Sequence, residues 1–429
     1  MKHLRLIALL VTVTMLTVLL AACSGTATTA APAANSSETS AAAATTAAPT
    51  GEVVELELWH YFSGPDGDVF DSMVEQFNAQ NTGIHVTSTF VTREDLMKQY
   101  TMGALSGELP DIGMVDNPDM ASFITMGVYE DITAQVEAWG EKDKFFEGPL
   151  KSCTQDGKIY GLPHNSNCLA LFYNKKMLAD AGVAVPTTWA ELEAAAAKLS
   201  GNGTYGLSMS AVKNEEGTFQ FIPWFLSSGG TIEDLGGANT VKALSFLDGL
   251  IEKGYMSKDV INWTQSDAKS QFVGGKAAMM INGPWQVPVL AEEAPDLEYG
   301  VALVPKDTTY ASVLGGENFG VCTGANVEAS FEVLKFLMDD QNLADFCEKG
   351  GKFPPRSDSI TYKDVWTKDP IYSVFSEGMQ YAMPRGPHPR WPEISNAMSN
   401  AMHEAFTDAK TPEQAMKDAA DKVNSLLNA

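Results

Sequence analysis

An α/β fold in two domains is predicted by three observations. At 429 residues the chain exceeds what one hydrophobic core usually supports. Near its start lies a β-α-β pattern. Val54, Leu56 and Leu58 alternate with Glu55 and Glu57, Phe70, Met73, Val74 and Phe77 follow at helical spacing, and residues 84–90 form a second apolar run. The third observation is residues 277–281, an apolar run of strand length bounded by Gly274-Gly275 and by Asn282-Gly283-Pro284. Ligands of α/β proteins sit beyond the carboxyl ends of strands, so Trp285, directly after that strand, stands either in a core or against a ligand. The pattern alone leaves both open.

The first 22 residues have a basic start (Lys2, Arg5), an apolar core over 6–20 and small residues before Cys23, which reads as a secretory signal. Leu20-Ala21-Ala22-Cys23 resembles the bacterial lipoprotein box, which implies an acylated Cys23 and an anchor on the outer face of the cytoplasmic membrane. Residues 23–51, rich in Ala, Thr and Ser, have too little apolar bulk to offset their ordering entropy and read as a tether. The net charge of −25 argues against nucleic acid, which needs a basic footprint.

In the folded part, the β-α-β unit implies parallel strands and a right-handed crossover. It places Trp59, His60 and Ser63 at the carboxyl end of the first strand. A helix over 93–105 and a short strand over 110–116 follow, and Asp116 reads equally as ligand contact or helix cap. Gly157-Lys158-Ile159-Tyr160-Gly161 reads as a hairpin turn between Cys153 and Cys168, making that pair the candidate disulfide of an exported protein; Cys322 and Cys347 stay open. Thr188 and Glu191 form a capping box for the next helix. A turn and strand over 201–210, helices over 239–253 and 330–350, a proline-rich loop over 383–392 and a last helix after Pro412 complete the reading. His403-Glu404 lacks the second histidine of a zinc-protease helix, and neither a phosphate loop nor a nucleophile elbow is present. No metal or cofactor is expected.

Residues 272–285 resemble the F-x-x-G-K-A-A-M-x-I-N-G-P-W signature of the extracellular solute-binding proteins that serve sugar ABC transporters, the group that includes maltose-binding protein. Four further segments are similar to that family: Tyr160 to Lys175, Pro186-Thr187-Thr188-Trp189, Leu314 to Val321, and Lys352-Phe353-Pro354-Pro355-Arg356. The resemblance implies two lobes with three hinge crossings near His164, Gly315 and Phe353, one lobe from 52–163 and 316–352, the other from 168–312 and 356–429. It implies a monomeric, non-catalytic protein that closes on a saccharide and presents it to a membrane permease. Trp285, on Gly283, would stack on the sugar, with Trp59, Trp224 or Trp391 as further faces. Asp116, Asn165, Glu317, Asn318 and Arg356 would meet hydroxyls, and Gly316 would admit backbone to the ligand. Two alternatives remain: a glycerol-3-phosphate or other phosphorylated-polyol binder, with Arg356 or Arg385 on the phosphate, and a lipid-anchored glycosidase.

Overall fold

Leu56, Leu58 and His60 share the inward face of strand Val54–His60, while Glu55 and Glu57 face solvent and Trp59 lies on their side. Inward residues of helix Pro65–Ala79, namely Phe70, Met73, Val74 and Phe77, cover that face. The structure, a computed structural model, describes residues 52–427; the signal segment, Cys23 and the tether lie outside the described residues.

Two sheets organise the described residues. In the first, Val54–His60 lies between Ile84–Phe90 and Ile112–Asp116, all parallel, and Glu317–Val321 and Leu162–Pro163 extend it. Strand Glu317–Val321 runs antiparallel beside Ile112–Asp116 and pairs Glu317 with Asp116. The second sheet has the order Tyr299–Ala302, Ala170–Asn174, Ala277–Asn282, Tyr205–Ser208. Every residue of Ala277–Asn282 is buried, as a continuous apolar run covered on both faces should be.

Three extended segments connect the sheets and lie edge to edge. Asn167 and Gly315 exchange backbone hydrogen bonds of 3.0 and 2.9 Å, and Ser166 and Phe353 exchange bonds of 2.7 and 2.9 Å. Gly316 has φ +144° and packs so closely on the Asn165 carbonyl that an added Cβ would stand 2.2 Å from it. Only glycine fits there. This is the two-lobe α/β architecture.

Two expectations are corrected. The helix foreseen over 330–350 is two helices, Val327–Leu337 and Asp340–Lys349. Asp339 breaks it by accepting from the Gln341 and Asn342 backbone amides, a strong N-cap in mid-run. The disulfide is absent: Cys153, Cys168, Cys322 and Cys347 are buried free thiols. The hairpin does form, Thr154–Gln155 against Lys158–Ile159, but it closes before Cys168. That thiol lies in the first crossing, its Sγ 3.5 Å from the Phe375 carbonyl. Burial pushes the Cys168 thiol up to about 12 and the Cys153 thiol higher still. Thiol titration of the unreduced protein is therefore expected to find all four only after denaturation; detection of a linked Cys153–Cys168 peptide would contradict this arrangement.

Candidate functional site

Beyond the carboxyl ends of Val54–His60, Ile112–Asp116 and Ala277–Asn282 lies a cleft of about 550 Å³ with walls from both sheets' layers. Asn282 ends its strand and donates from Nδ2 to the Gln265 carbonyl at 3.0 Å. Pro284 then halts the ladder and Trp285 opens helix Gln286–Glu293. The indole folds back over Gly283, where an added Cβ would stand 1.9 Å from the ring. One ring edge is supported by Phe219, with centroids 6.3 Å apart, and the half-buried remainder lines the cleft.

Beyond Phe219 stands a buried ionic cluster. Arg385 straddles Asp116 with Nη2 donating to Oδ1 at 2.6 Å and Nη1 to Oδ2 at 3.0 Å. The same guanidinium donates to Glu215 Oε1 at 2.6 Å, to Asn117 Oδ1 at 3.0 Å and, through Nε, to the Leu314 carbonyl at 3.3 Å. It also lies 4.4 Å over the Phe219 ring. Asp116 belongs to the first sheet, and Glu215 begins the helix Glu215–Ser227 that covers the second. Arg385 thus fastens the two layers together across the back of the cleft. It arrives there because Ala382–Pro384 pairs in parallel with Ser312–Leu314.

Arg93, in the first turn of helix Arg93–Ser106, donates to Asp119 at 2.6 Å and lies 3.4 Å from Asp116. Burial nevertheless pushes the Asp119 carboxyl up to about 7, with Glu215 and Asp116 adding to the effect against Arg93. On the hinge side, Lys352 pairs with Asp66 and sits 4.4 Å over the Phe62 ring. Glu317, two residues beyond the Gly315 crossing, has its carboxyl raised by burial, an effect that Lys352 opposes and Asp116 reinforces. Its Oε2 and the Oδ1 of Asn167 are buried without a hydrogen-bond partner. Both residues line the cleft.

Of the residues singled out from sequence, Ser63, Asp116, Trp285, Gly316, Glu317 and Arg385 line this cleft, and Gly283 lies beneath the indole. The others do not line it. Trp224 is a core residue of the second lobe, packed on Trp189 and Phe246, because the helix 215–227 turns it away from the cleft while presenting Glu215 and Phe219 to it. Trp391 is equally buried and donates from Nε1 to Glu215 Oε2 at 3.1 Å, holding a cleft residue from behind. Arg356 packs between Trp139 and Phe145 and bonds Glu141 and Asp358, each at 2.8 Å. It is a structural cation, and Lys352 occupies the place expected for it. His60 faces the core beside Phe70, where burial lowers it to about 4. Trp59, on the opposite face, stacks on Tyr100 and bonds Glu57 beside a separate shallow depression. Asn318 is held by Ser152, its Nδ2 donating at 2.9 Å, and Asn165 is buried behind Gly316. Sequence reading missed Arg93, Glu215, Phe219 and Lys352 as cleft residues.

No group of three or more His, Cys, Asp or Glu able to hold a metal ion exists among the described residues. None of their helices is long and apolar enough to cross a membrane. The sequence profile of bacterial extracellular solute-binding proteins matches residues 72–374. The chain belongs to that family. Among its relatives is a binding protein of Brucella abortus, 28% identical over 378 residues, covering 85% of this chain and 91% of that one. The sn-glycerol-3-phosphate-binding periplasmic protein UgpB of Escherichia coli is 24% identical, covering 87% and 93%. Two solved solute-binding proteins share the fold over 87% of this chain and 100% of their own. The Thermotoga maritima MalE3 protein, solved with maltose, has TM-score 0.80 and 25% identity. A Thermotoga lettingae ABC transporter solute-binding protein, solved with α-D-tagatose, has TM-score 0.79 and 26% identity.

Proposed function

We propose that this solute-binding protein is the saccharide-capturing component of a carbohydrate ABC importer. In this reading it takes up a mono- or oligosaccharide outside the cell, closes on it and hands it unaltered to membrane permease subunits. The observation that carries the reading is Trp285, a half-exposed indole braced by Phe219 over a cleft shared by both lobes. An aromatic face covers the C–H face of a pyranose, worth on the order of 1 kcal/mol beyond simple burial, while buried acceptors such as Asn167 Oδ1 are costly until a hydroxyl meets them.

The lobes of the proposal are 52–163 with 316–352 and 168–312 with 356–429, moving about the paired crossings. A solute that touches both walls favours the closed form, because only that form lets it make both sets of contacts. The protein works as a monomer tethered by residues 23–51 from an acylated Cys23, on the outer face of the cytoplasmic membrane. It carries out no reaction on its ligand.

Similarity to UgpB supports a second reading, a phosphorylated polyol as ligand. Against it, each cation lining the cleft is already held by a carboxylate: Arg385 by Asp116 and Glu215, Arg93 by Asp119, Lys269 by Glu293 and Lys352 by Asp66. A phosphate would have to draw one of these cations away from its carboxylate. A thermal-shift screen with mono-, di- and oligosaccharides and their phosphates tests the choice. A saccharide at 100 times its Kd is expected to add about 2.7 kcal/mol of stability. Shifts from sugar phosphates alone would support the second reading, and silence from every saccharide would end the first. Release of smaller sugars from an oligosaccharide would point instead to a glycosidase.

A further inference from the structure

The ionic cluster behind Phe219 has an uneven count. Three carboxylates, Asp116, Asp119 and Glu215, share two guanidiniums, Arg93 and Arg385. All are buried except Arg93, which is half-buried. Glu216, which also feels Arg93, adds to the negative excess. The members come from both of the proposed lobes: Arg93, Asp116 and Asp119 from the first, Glu215 and Arg385 from the second. Asp119 precedes the short helix Met120–Thr125, on which helix Trp391–Phe406 of the second lobe packs.

Three acids against two bases leave one negative charge too many in a buried place, and a single proton removes it. Asp119 is the member placed to take that proton. Glu215 accepts from Arg385 and from Trp391 Nε1, while Asp116 holds Arg385 through both oxygens and has Arg93 at 3.4 Å. Asp119 meets Arg93 through one oxygen, at 2.6 Å, and its side chain makes no cap for the helix it precedes. Tyr61 and Tyr129 also face it, and burial keeps both protonated.

Resting on the two-lobe closing reading above, we propose that shutting the cleft takes up one proton on Asp119, so that acid favours the closed form. Parting the lobes returns water to Asp119 and carries Glu215 and Arg385 away from it. Arg93 and Asp116, on its own lobe, stay. Burial is the largest influence raising this carboxyl, and Glu215 acts on it more strongly than Arg385 does. Opening therefore lowers it from about 7 towards the ordinary carboxylate range. The preference for closure is full at acid pH and is lost as the pH rises through about 7. A neutral saccharide that selects the closed form then binds more tightly in acid without itself titrating.

The first arm of the test needs no ligand. Spin labels on Glu75→Cys in the first lobe and Glu252→Cys in the second, both exposed positions, report lobe separation in the full chain held in detergent. The four described native thiols are buried, so labelling falls on the new ones. From pH 8.5 to pH 5.5 the ratio of closed to open chain is expected to rise at least fivefold. Asp119→Asn, which cannot ionise, should hold the acid ratio at both values. An equal ratio at the two pH values overturns the switch, as does a pH dependence that survives in a folded Asp119→Asn protein. The saccharides of the thermal-shift screen form the second arm. Labels drawn together by one of them but not by acid leave the closing reading standing without the switch. Labels that neither moves remove both.

Discussion

Replacing Trp285 with alanine is expected to cut saccharide affinity by roughly 30- to 1,000-fold, about 2–4 kcal/mol, while leaving the protein folded. The magnitude is that of a central aromatic anchor, and the location is what makes it one. The indole is braced on one side by Phe219 and on the other by the bare backbone of Gly283. It is therefore held in place before ligand arrives and loses little freedom on binding. Because it is only partly buried and already lines the open cleft, its loss opens a wider cleft rather than a sealed cavity, and the melting temperature should move little. Calorimetry on Trp285→Ala and Trp285→Phe checks the idea: the phenyl ring should restore part of the loss. Equal affinity in the alanine variant would take the indole out of the ligand's path.

Arg385→Ala is expected to destabilise the fold by about 3–5 kcal/mol, the cost of leaving buried Glu215 without its cation and Asp116 with Arg93 alone. Asp116 and Glu215 would face each other across the back of the cleft with nothing between them. Their mutual repulsion acts across the two lobes, so it should favour the open form as well as unfolding. Adding Glu215→Gln to Arg385→Ala should recover a measurable part of the lost stability, since Glu215 is the charge left with no cation while Asp116 keeps Arg93 at 3.4 Å. Urea unfolding of the two variants reads this directly. A loss below about 1 kcal/mol for Arg385→Ala would mean that water reaches the cluster and the clamp is slack.

What could be seen in the sequence was local. Strand Val54–His60 declared itself by strict alternation, and the Ala277–Asn282 strand by its apolar run with a proline stop; that pattern left Trp285 open between core and cleft, and in the structure it lines the cleft. Alternation also held the answer for His60, which shares the parity of Leu56 and Leu58 and is buried with them. Asp116 and Arg385 were named from the sequence as ligand contacts, but their joining in one ionic cluster was hidden because it depends on remote pairing. Arg385 follows a three-residue strand whose partner, Ser312–Leu314, lies about seventy residues earlier, and no periodicity records that register. Lys352 and Arg356 show the limit of a motif: the same short segment supplies both cations, yet the chain bends at Pro355 between them. One reaches the cleft and the other is buried against Trp139 and Phe145. Trp224 and Trp391 were indistinguishable from Trp285 by residue type, and only packing separated core rings from the cleft-lining one.

The paired backbone bonds among the crossings at Ser166, Asn167, Gly315 and Phe353 turn three strings into a ribbon. A ribbon yields to bending across its thickness and resists sliding of one edge past the other, since sliding would break four hydrogen bonds together. The halves can swing apart like a book on its spine, but they cannot slip sideways, so both walls return to the same alignment each time the cleft shuts.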